Sequence, residues 1–189
     1  MTLGNKQEKA DGAADRAHWS ASADLPELDA CLPSYLSHLV AELQAALGER
    51  FLGAALFGSC ARGQAHVGSD VDVLVVVDAS DPEMDGLLGL ALRNLRRDPS
   101  AIAVAALGLE PTPALLVQSL ARFGAHPLIL LDISSDGRVL HDPRGWIEAH
   151  LAAVRKSMAG HGTHRVAQPD GSWYWELKRN MRPGEELSW

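Results

Sequence analysis

The chain has 189 residues, of which 47% are hydrophobic, and it carries a formal net charge of -7 at pH 7. This length and composition are typical of one domain with a buried core. No apolar run approaches the roughly 20 residues that span a bilayer. The negative charge argues against broad binding to nucleic acid, which needs many Lys and Arg contacts to phosphates. We therefore expect a soluble, cytoplasmic protein without a membrane segment, and we consider nucleic acid an unlikely partner.

The N-terminal part of the chain divides into a leader and the first elements of a domain. Residues 1–24 are polar and lack an apolar period, which predicts a flexible leader. From Pro33 onward, apolar residues at helical spacing predict a helix that starts near this proline and ends at Gly48. The short apolar runs at 51–57 and 71–77 predict two buried strands.

The rest of the chain predicts further helices and strands. Asp81 and Pro82 open a helix that continues to Arg97, and the apolar run at 101–109 predicts a third buried strand. A helix follows from near Pro111 or Pro113 to Gly124. Residues 127–136 fit a strand or a helix, of which we favour the helix, and a short strand at 139–141 precedes a helix at 143–158. We therefore expect an α/β (α+β) domain over 25–160, with a small mixed sheet flanked by helices, and an aromatic and basic extension over 161–189.

The connection between the first two strands contains residues suited to phosphate and metal binding. Gly58 and Ser59 follow the first strand, where a glycine allows a sharp turn and a hydroxyl with nearby amides can bind phosphate oxygens. Arg62 on the same connection can reach a phosphate. Asp70 and Asp72 are two residues apart on an extended segment, so their carboxylates face the same side and can share a cation such as Mg²⁺. A tight turn with solvent-facing acids is the plainer alternative.

These residues carry a family resemblance. Gly58-Ser59-Cys-Ala-Arg62-Gly and Ser69-Asp70-Val-Asp72 resemble the signature of the minimal nucleotidyltransferases, a group within the polymerase-β-type nucleotidyltransferase superfamily. The C-terminal segments at 171–178 and 181–185 are similar to the ending of nucleotidyltransferase-domain proteins. The resemblance implies a polymerase-β-like fold, with Gly58 and Ser59 at the nucleotide phosphates and with Asp70 and Asp72 as catalytic residues and metal ligands. Arg62 and Ser69 are further candidates for binding the nucleotide phosphates.

The same resemblance implies an activity and its alternative. Family members transfer a nucleoside monophosphate from an NTP to an acceptor, release pyrophosphate, and use Mg²⁺, with Mn²⁺ as a possible substitute. They usually place a third carboxylate on the next core strand, which is apolar in the predicted run at 101–109. Glu110 and Asp132 are the candidates to replace it. The alternative is a weak or inactive nucleotide-binding module, such as the nucleotidyltransferase of a toxin–antitoxin pair with a helical partner protein.

Overall fold

The computed structural model describes residues 25–79, 81–125, 128–170, 172–182 and 184–185, so the predicted leader lies outside the described residues. Seven α-helices, a short 3-10 helix at Gly48–Arg50 and six strands lie along these ranges. The helices are α1 (Leu28–Leu47), α2 (Gly58–Arg62), α3 (Pro82–Leu95), α4 (Pro99–Ala106), α5 (Leu120–Gly124), α6 (Ile129–Asp136) and α7 (Trp146–His161). The strands are β1 (Phe51–Phe57), β2 (Asp72–Val77), β3 (Ala114–Ser119), β4 (Arg138–His141), β5 (His164–Ala167) and β6 (Trp173–Glu176).

Four of the strands form one mixed sheet in the order β3-β2-β1-β4. Strand β1 runs antiparallel to β2 and to β4, whereas β2 and β3 are parallel. The expected α/β class, a small mixed sheet flanked by helices, is therefore confirmed. Strands β5 and β6 form a separate antiparallel hairpin after α7.

The central strand β2 is buried on both faces, as its run of valines predicts. Val73, Val75 and Val77 belong to a first hydrophobic cluster, which also contains the buried stripes of α1, α3 and α4. Leu74 and Val76 belong to a second cluster on the opposite face, together with buried residues of α6 and α7. Asp72 has the same parity as Leu74 and therefore lies on the second face, at the edge of that cluster.

The predicted first helix is present but begins earlier than expected. Helix α1 starts at Leu28, and Pro33 lies inside it rather than in its first turn. The residues Leu28, Leu32, Tyr35, Leu36, Leu39, Leu43 and Leu47 form its buried stripe. Burial of the residues before Pro33 outweighs the backbone hydrogen bond that a proline removes from a helix.

Two predicted elements were wrong. Residues 101–109 do not form a strand, because Pro99–Ala106 are helical and the Asp98 side chain caps this helix by accepting a hydrogen bond from Ser100 N. The predicted helix from Pro111 or Pro113 to Gly124 is instead strand β3, followed by the short helix α5. The third strand of the sheet therefore lies at 114–119.

The remaining elements agree with the sequence, apart from their ends. Strands β1 and β2, helix α3, the favoured helix at α6 and strand β4 all lie where the patterns predict them. Helix α7 is shifted by about one turn toward the C-terminus relative to 143–158. Across the described ranges, none of the helices combines the length and apolarity that crossing a membrane requires.

Candidate functional site

The turn after β1 brings Gly58 directly against Asp72. Phe57, the last residue of β1, pairs with Asp72 across the antiparallel ladder, so the next residue begins beside the Asp72 side chain. Gly58 has a φ of +72°, and a Cβ atom placed on it would lie 2.0 Å from Asp72 Oδ2. Only glycine tolerates both this backbone conformation and this close approach. The glycine predicted from the sequence is thus required by the Asp72 carboxylate.

The connection is held in place by contacts beneath and beside α2. Cys60 and Ala61 are buried, and Arg138 Nε of β4 donates a hydrogen bond of 3.2 Å to the Ala61 carbonyl. Burial raises the pKa of the Cys60 thiol to about 11, and the charge of Asp72 adds to the shift. Cys60 is therefore a neutral packing residue at physiological pH. Ser59, next to it, is half-buried, and its carbonyl accepts a hydrogen bond of 2.9 Å from Gln64 N.

The two aspartates differ in exposure. Asp70 is exposed just before β2, whereas Asp72 is half-buried at its first position. Burial raises the pKa of Asp72, the neighbouring Asp70 carboxylate raises it further, and Arg62 opposes the shift. The ionised form of Asp72 is therefore disfavoured by its surroundings. A bound cation would relieve this cost, since an opposite charge nearby favours ionisation.

Ser69, the fourth predicted phosphate-binding residue, is buried in a turn. Its hydroxyl accepts a hydrogen bond of 3.0 Å from His66 N, and its carbonyl accepts one of 3.2 Å from Glu110 N. These contacts link the loop before Asp70 to the segment before β3. Ser69 is thus positioned to hold the backbone on which Asp70 lies.

Arg62, at the end of α2, has two acidic side chains in its surroundings, Asp136 and Asp72. Its Nε donates a hydrogen bond of 3.0 Å to Gln64 Oε1, and its Nη1 lies 3.9 Å from Asp136 Oδ2. Its positive charge also acts to lower the pKa of Asp72. The structure therefore brings Gly58, Arg62, Asp70 and Asp72 into one region, as the spacing of the motif predicts.

The two candidates for a third carboxylate make other contacts. Glu110 Oε1 accepts a hydrogen bond of 3.2 Å from Thr112 N, which caps the loop before β3. Asp132 Oδ1 lies 3.0 Å from Arg165 Nη2 and accepts a hydrogen bond of 3.3 Å from Trp175 Nε1. Within the part of the chain that the structure describes, no group of three or more His, Cys, Asp or Glu side chains could hold a metal ion.

The register of β3 shows which residues stand beside the aspartates. Asp72 pairs with Ala114, and Leu74 pairs with Leu116 in the parallel ladder. Paired residues of a parallel sheet face the same side, so Ala114 and Leu116 share the face of Asp72. An exposed alanine and a half-buried leucine therefore stand on the strand neighbouring Asp72, and neither position supplies a carboxylate. Local sequence patterns do not indicate these two positions, because they predict the third strand at 101–109 and not at 114–119.

The two carboxylates suit a magnesium ion whose other ligands come from a bound phosphate compound. Mg²⁺ is commonly held by one or two carboxylates together with substrate phosphates, rather than by a cage made only of protein groups. Asp70 and Asp72 can supply the two carboxylates, and the half-buried Asp72 gains from the added positive charge. The residues present therefore fit a cation that arrives with a triphosphate.

A family match agrees with this arrangement. The family model described as "Nucleotidyltransferase domain" matches residues 40–123, which contain Gly58, Ser59, Asp70 and Asp72. The matched segment begins within α1 and ends within α5, so it includes β1, β2 and β3. No curated protein matched the sequence.

Among solved structures, several toxin–antitoxin complexes resemble the chain. One solved with AMP-PNP has a TM-score of 0.38 and 15% identity, covering 66% of this chain and 90% of the other. The toxin–antitoxin MntA-HepT has a TM-score of 0.38 and 13% identity, covering 68% and 92%. The tri-AMPylated Shewanella oneidensis HEPN toxin with MNT antitoxin has a TM-score of 0.37 and 14% identity, covering 68% and 91%.

At this level of similarity the solved complexes carry no argument about activity, substrates or partners. The family match rests instead on the segment that builds the glycine turn and the two aspartates. The match to a nucleotidyltransferase domain thus covers residues 40–123, which include β1 to β3 and the turn between the first two strands.

Proposed function

We propose that the protein binds a magnesium–nucleoside triphosphate complex between α2 and the start of β2, and that it transfers a nucleoside monophosphate to an acceptor with release of pyrophosphate. The observation that carries the proposal is the contact of the Asp72 carboxylate with the backbone of Gly58, beside Asp70. This close approach supports a site in which Asp70 and Asp72 bind a metal ion beside a phosphate-binding turn.

Each residue of the site has a distinct role in this proposal. Asp70 and Asp72 hold the magnesium ion, which neutralises charge that develops on the triphosphate and on the departing pyrophosphate. The Ser59 hydroxyl donates to a phosphate oxygen, and Arg62 binds the triphosphate by charge and by hydrogen bonds. Gly58 leaves room for the Asp72 carboxylate, because a side chain there would overlap it. Ser69 holds Asp70 in place through its turn.

A second candidate is a nucleotide-binding module without turnover. It is favoured by one observation: Ala114 and Leu116 occupy the β3 positions beside Asp72 and Leu74, so β3 supplies no base for the acceptor. Such a module would act by presenting its nucleotide-bound state to another protein. The helical partner implied by the family resemblance belongs to this candidate.

Calorimetry with purified protein tests the binding step. We expect ATP with Mg²⁺ to bind the wild type, and we expect Asp70→Asn and Asp72→Asn each to weaken binding at least about tenfold, since a charge-assisted contact is lost. Asp85→Asn makes the same chemical change on the exposed surface of α3 and should leave binding unchanged. Equal binding by the wild type and both site variants would refute the assignment.

A second experiment separates transfer from silent binding. The four NTPs are incubated in turn with the protein and Mg²⁺ or Mn²⁺, and both pyrophosphate and the mass of the protein are measured. Pyrophosphate release that Asp72→Asn abolishes would support a transferase. Binding without pyrophosphate or a mass increase would favour the module instead.

A further inference from the structure

The C-terminal hairpin places one arginine against two carboxylates of α6. Arg165 of β5 directs its Nη2 at Asp132 Oδ1, at 3.0 Å, and at Asp136 Oδ2, at 2.6 Å. Its guanidinium lies over the rings of Trp173 and Trp175, with its central carbon 4.4 and 4.9 Å from the ring centroids. Ion pairs and aromatic rings thus fix this guanidinium from several sides.

The Asp136 oxygen that Arg165 contacts also faces the proposed nucleotide site. Arg62 Nη1 lies 3.9 Å from the same Oδ2 atom, at the outer limit of an ion pair. This oxygen is buried and, among the described residues, accepts no well-aligned hydrogen bond. Two arginines therefore compete for one carboxylate oxygen, and Arg165 is the closer of the two.

The competition determines whether the Arg62 guanidinium pairs with Asp136 or stays available for another anion. Asp136 is half-buried with its Oδ2 atom shut off from solvent, and such an oxygen favours a cationic partner because it is poorly solvated. If Arg165 were neutral, Arg62 would be within reach to become the partner of Asp136 and would be drawn toward α6. With Arg165 in place, the charge of Asp136 is already balanced, and Arg62 is held only weakly.

We propose that Arg165 is a positioning residue for the nucleotide site: by pairing with Asp132 and Asp136 it keeps Arg62 available for the triphosphate. This inference rests on the proposed function, since it assumes that Arg62 binds phosphate. It makes the hairpin β5–β6 a part of the nucleotide-binding unit, although the hairpin lies outside the segment that the family model matches.

Calorimetric titration with ATP and Mg²⁺ tests the inference through a rescue. Arg165→Gln should weaken binding about tenfold, because one charge-assisted contact to the triphosphate is lost when Arg62 turns to Asp136. Adding Asp136→Asn to Arg165→Gln removes the competitor and should restore binding to within about twofold of the wild type. Arg165→Lys keeps the charge and should retain most of the affinity.

A matched control lies in the same hairpin. His164 of β5 pairs with Glu176 of β6 at 3.2 Å, which is a contact within the hairpin itself. His164→Gln should therefore leave the affinity for ATP and Mg²⁺ unchanged. Near-ultraviolet circular dichroism of each variant reports whether Trp173 and Trp175 keep their packing.

Three outcomes would overturn the inference. The first is binding by Arg165→Gln equal to that of the wild type, and the second is failure of Asp136→Asn to rescue it. The third is an equal loss of affinity in His164→Gln, which would give the hairpin only a structural role. A wild type that binds no ATP with Mg²⁺ would instead refute the proposed function. Inorganic tripolyphosphate titrated without metal would then test the same variants, because the anion needs Arg62 but not the aspartates.

Discussion

At the scale of single residues, the surroundings of Asp72 disfavour the charged form of its carboxylate. It is half-buried against Gly58, it lies near a second carboxylate, and both effects raise its pKa. Groups with perturbed pKa values concentrate at functional sites, where stability is given up for a reactive or metal-binding arrangement. Asp72 should therefore cost the protein stability when no cation is bound.

Replacement of Asp72 by Asn tests this cost through its pH dependence. Because the pKa of Asp72 is higher in the folded than in the unfolded chain, the folded state favours the protonated form. Stability is unaffected below the unfolded pKa of about 3.9 and decreases as pH rises through the folded pKa. At pH 7 we expect Asp72→Asn to raise the free energy of unfolding by less than about 1 kcal/mol, since solvent screens a half-exposed pair.

Urea unfolding in the presence of a chelator measures this difference at pH 7 and pH 3. The gain should vanish at pH 3, where the carboxylate is protonated in both states. Glu49→Gln, an exposed acid at the turn before β1, should change the free energy of unfolding by no more than about 0.5 kcal/mol. A less stable Asp72→Asn variant at pH 7 would show that native contacts stabilise the carboxylate.

The residues of the site differ in how far the sequence predicts them. The turn and the two aspartates follow from local spacing, because strand periodicity fixes which side chains share a face. The link from Arg62 through Asp136 to Arg165 joins three distant elements, and no local pattern indicates it. Likewise, the hydroxyl of Ser69 accepts a backbone hydrogen bond within its turn, which the signature alone does not reveal.

At the scale of elements, the third strand shows where local patterns mislead. The run at 101–109 is apolar, but Asp98 and Pro99 before it and Gly108 near its end are the start and stop signals of a helix. The leucines at 115, 116 and 120 fit helical spacing, yet residues 114–119 pair with β2. Pairing with a buried neighbouring strand decides whether such a short apolar segment forms a strand or a helix. The periodicity of the segment itself does not decide it.

The corrected strand also identifies the position that a third carboxylate would need. Ala114 pairs with Asp72, shares its face and is exposed, so an aspartate there would extend toward the proposed metal site. A general base within reach of an acceptor typically contributes about 10²–10⁴-fold to a rate. The missing group thus gives a physical reason to expect slow transfer.

Ala114→Asp should therefore increase Mg²⁺-dependent pyrophosphate release, by about tenfold or more. The rate is measured with the NTP that the wild type binds most tightly. Ala114→Asn adds the same bulk without a base and should not increase the rate. Leu115→Asp, one residue along, faces the first hydrophobic cluster and should destabilise the fold instead. An unchanged rate in a folded Ala114→Asp variant would show that a third carboxylate at this position is not what limits transfer.

At the scale of the whole molecule, one thin sheet joins two hydrophobic clusters. The first cluster contains the buried faces of α1, α3 and α4, and the second contains those of α6 and α7, with Trp175 and Leu177 packed against it. Alternate residues of β2 belong to the two clusters in turn. Loss of the strand would therefore expose apolar side chains of both clusters at once. This architecture predicts that both layers and the hairpin unfold together.

The tryptophans allow this cooperativity to be measured. The three in the described ranges, Trp146, Trp173 and Trp175, lie in α7 and the hairpin, whereas α1, α3 and α4 contribute much of the helical circular dichroism from the other layer. In a Trp19→Phe, Trp189→Phe background, fluorescence and far-ultraviolet circular dichroism should give the same urea midpoint. Leu39→Ala, a buried change in α1, should destabilise by about 2–5 kcal/mol and shift both midpoints equally. If fluorescence changed at lower urea than circular dichroism, the hairpin would be an independent unit, and Arg165 could leave the nucleotide site while the sheet stayed folded.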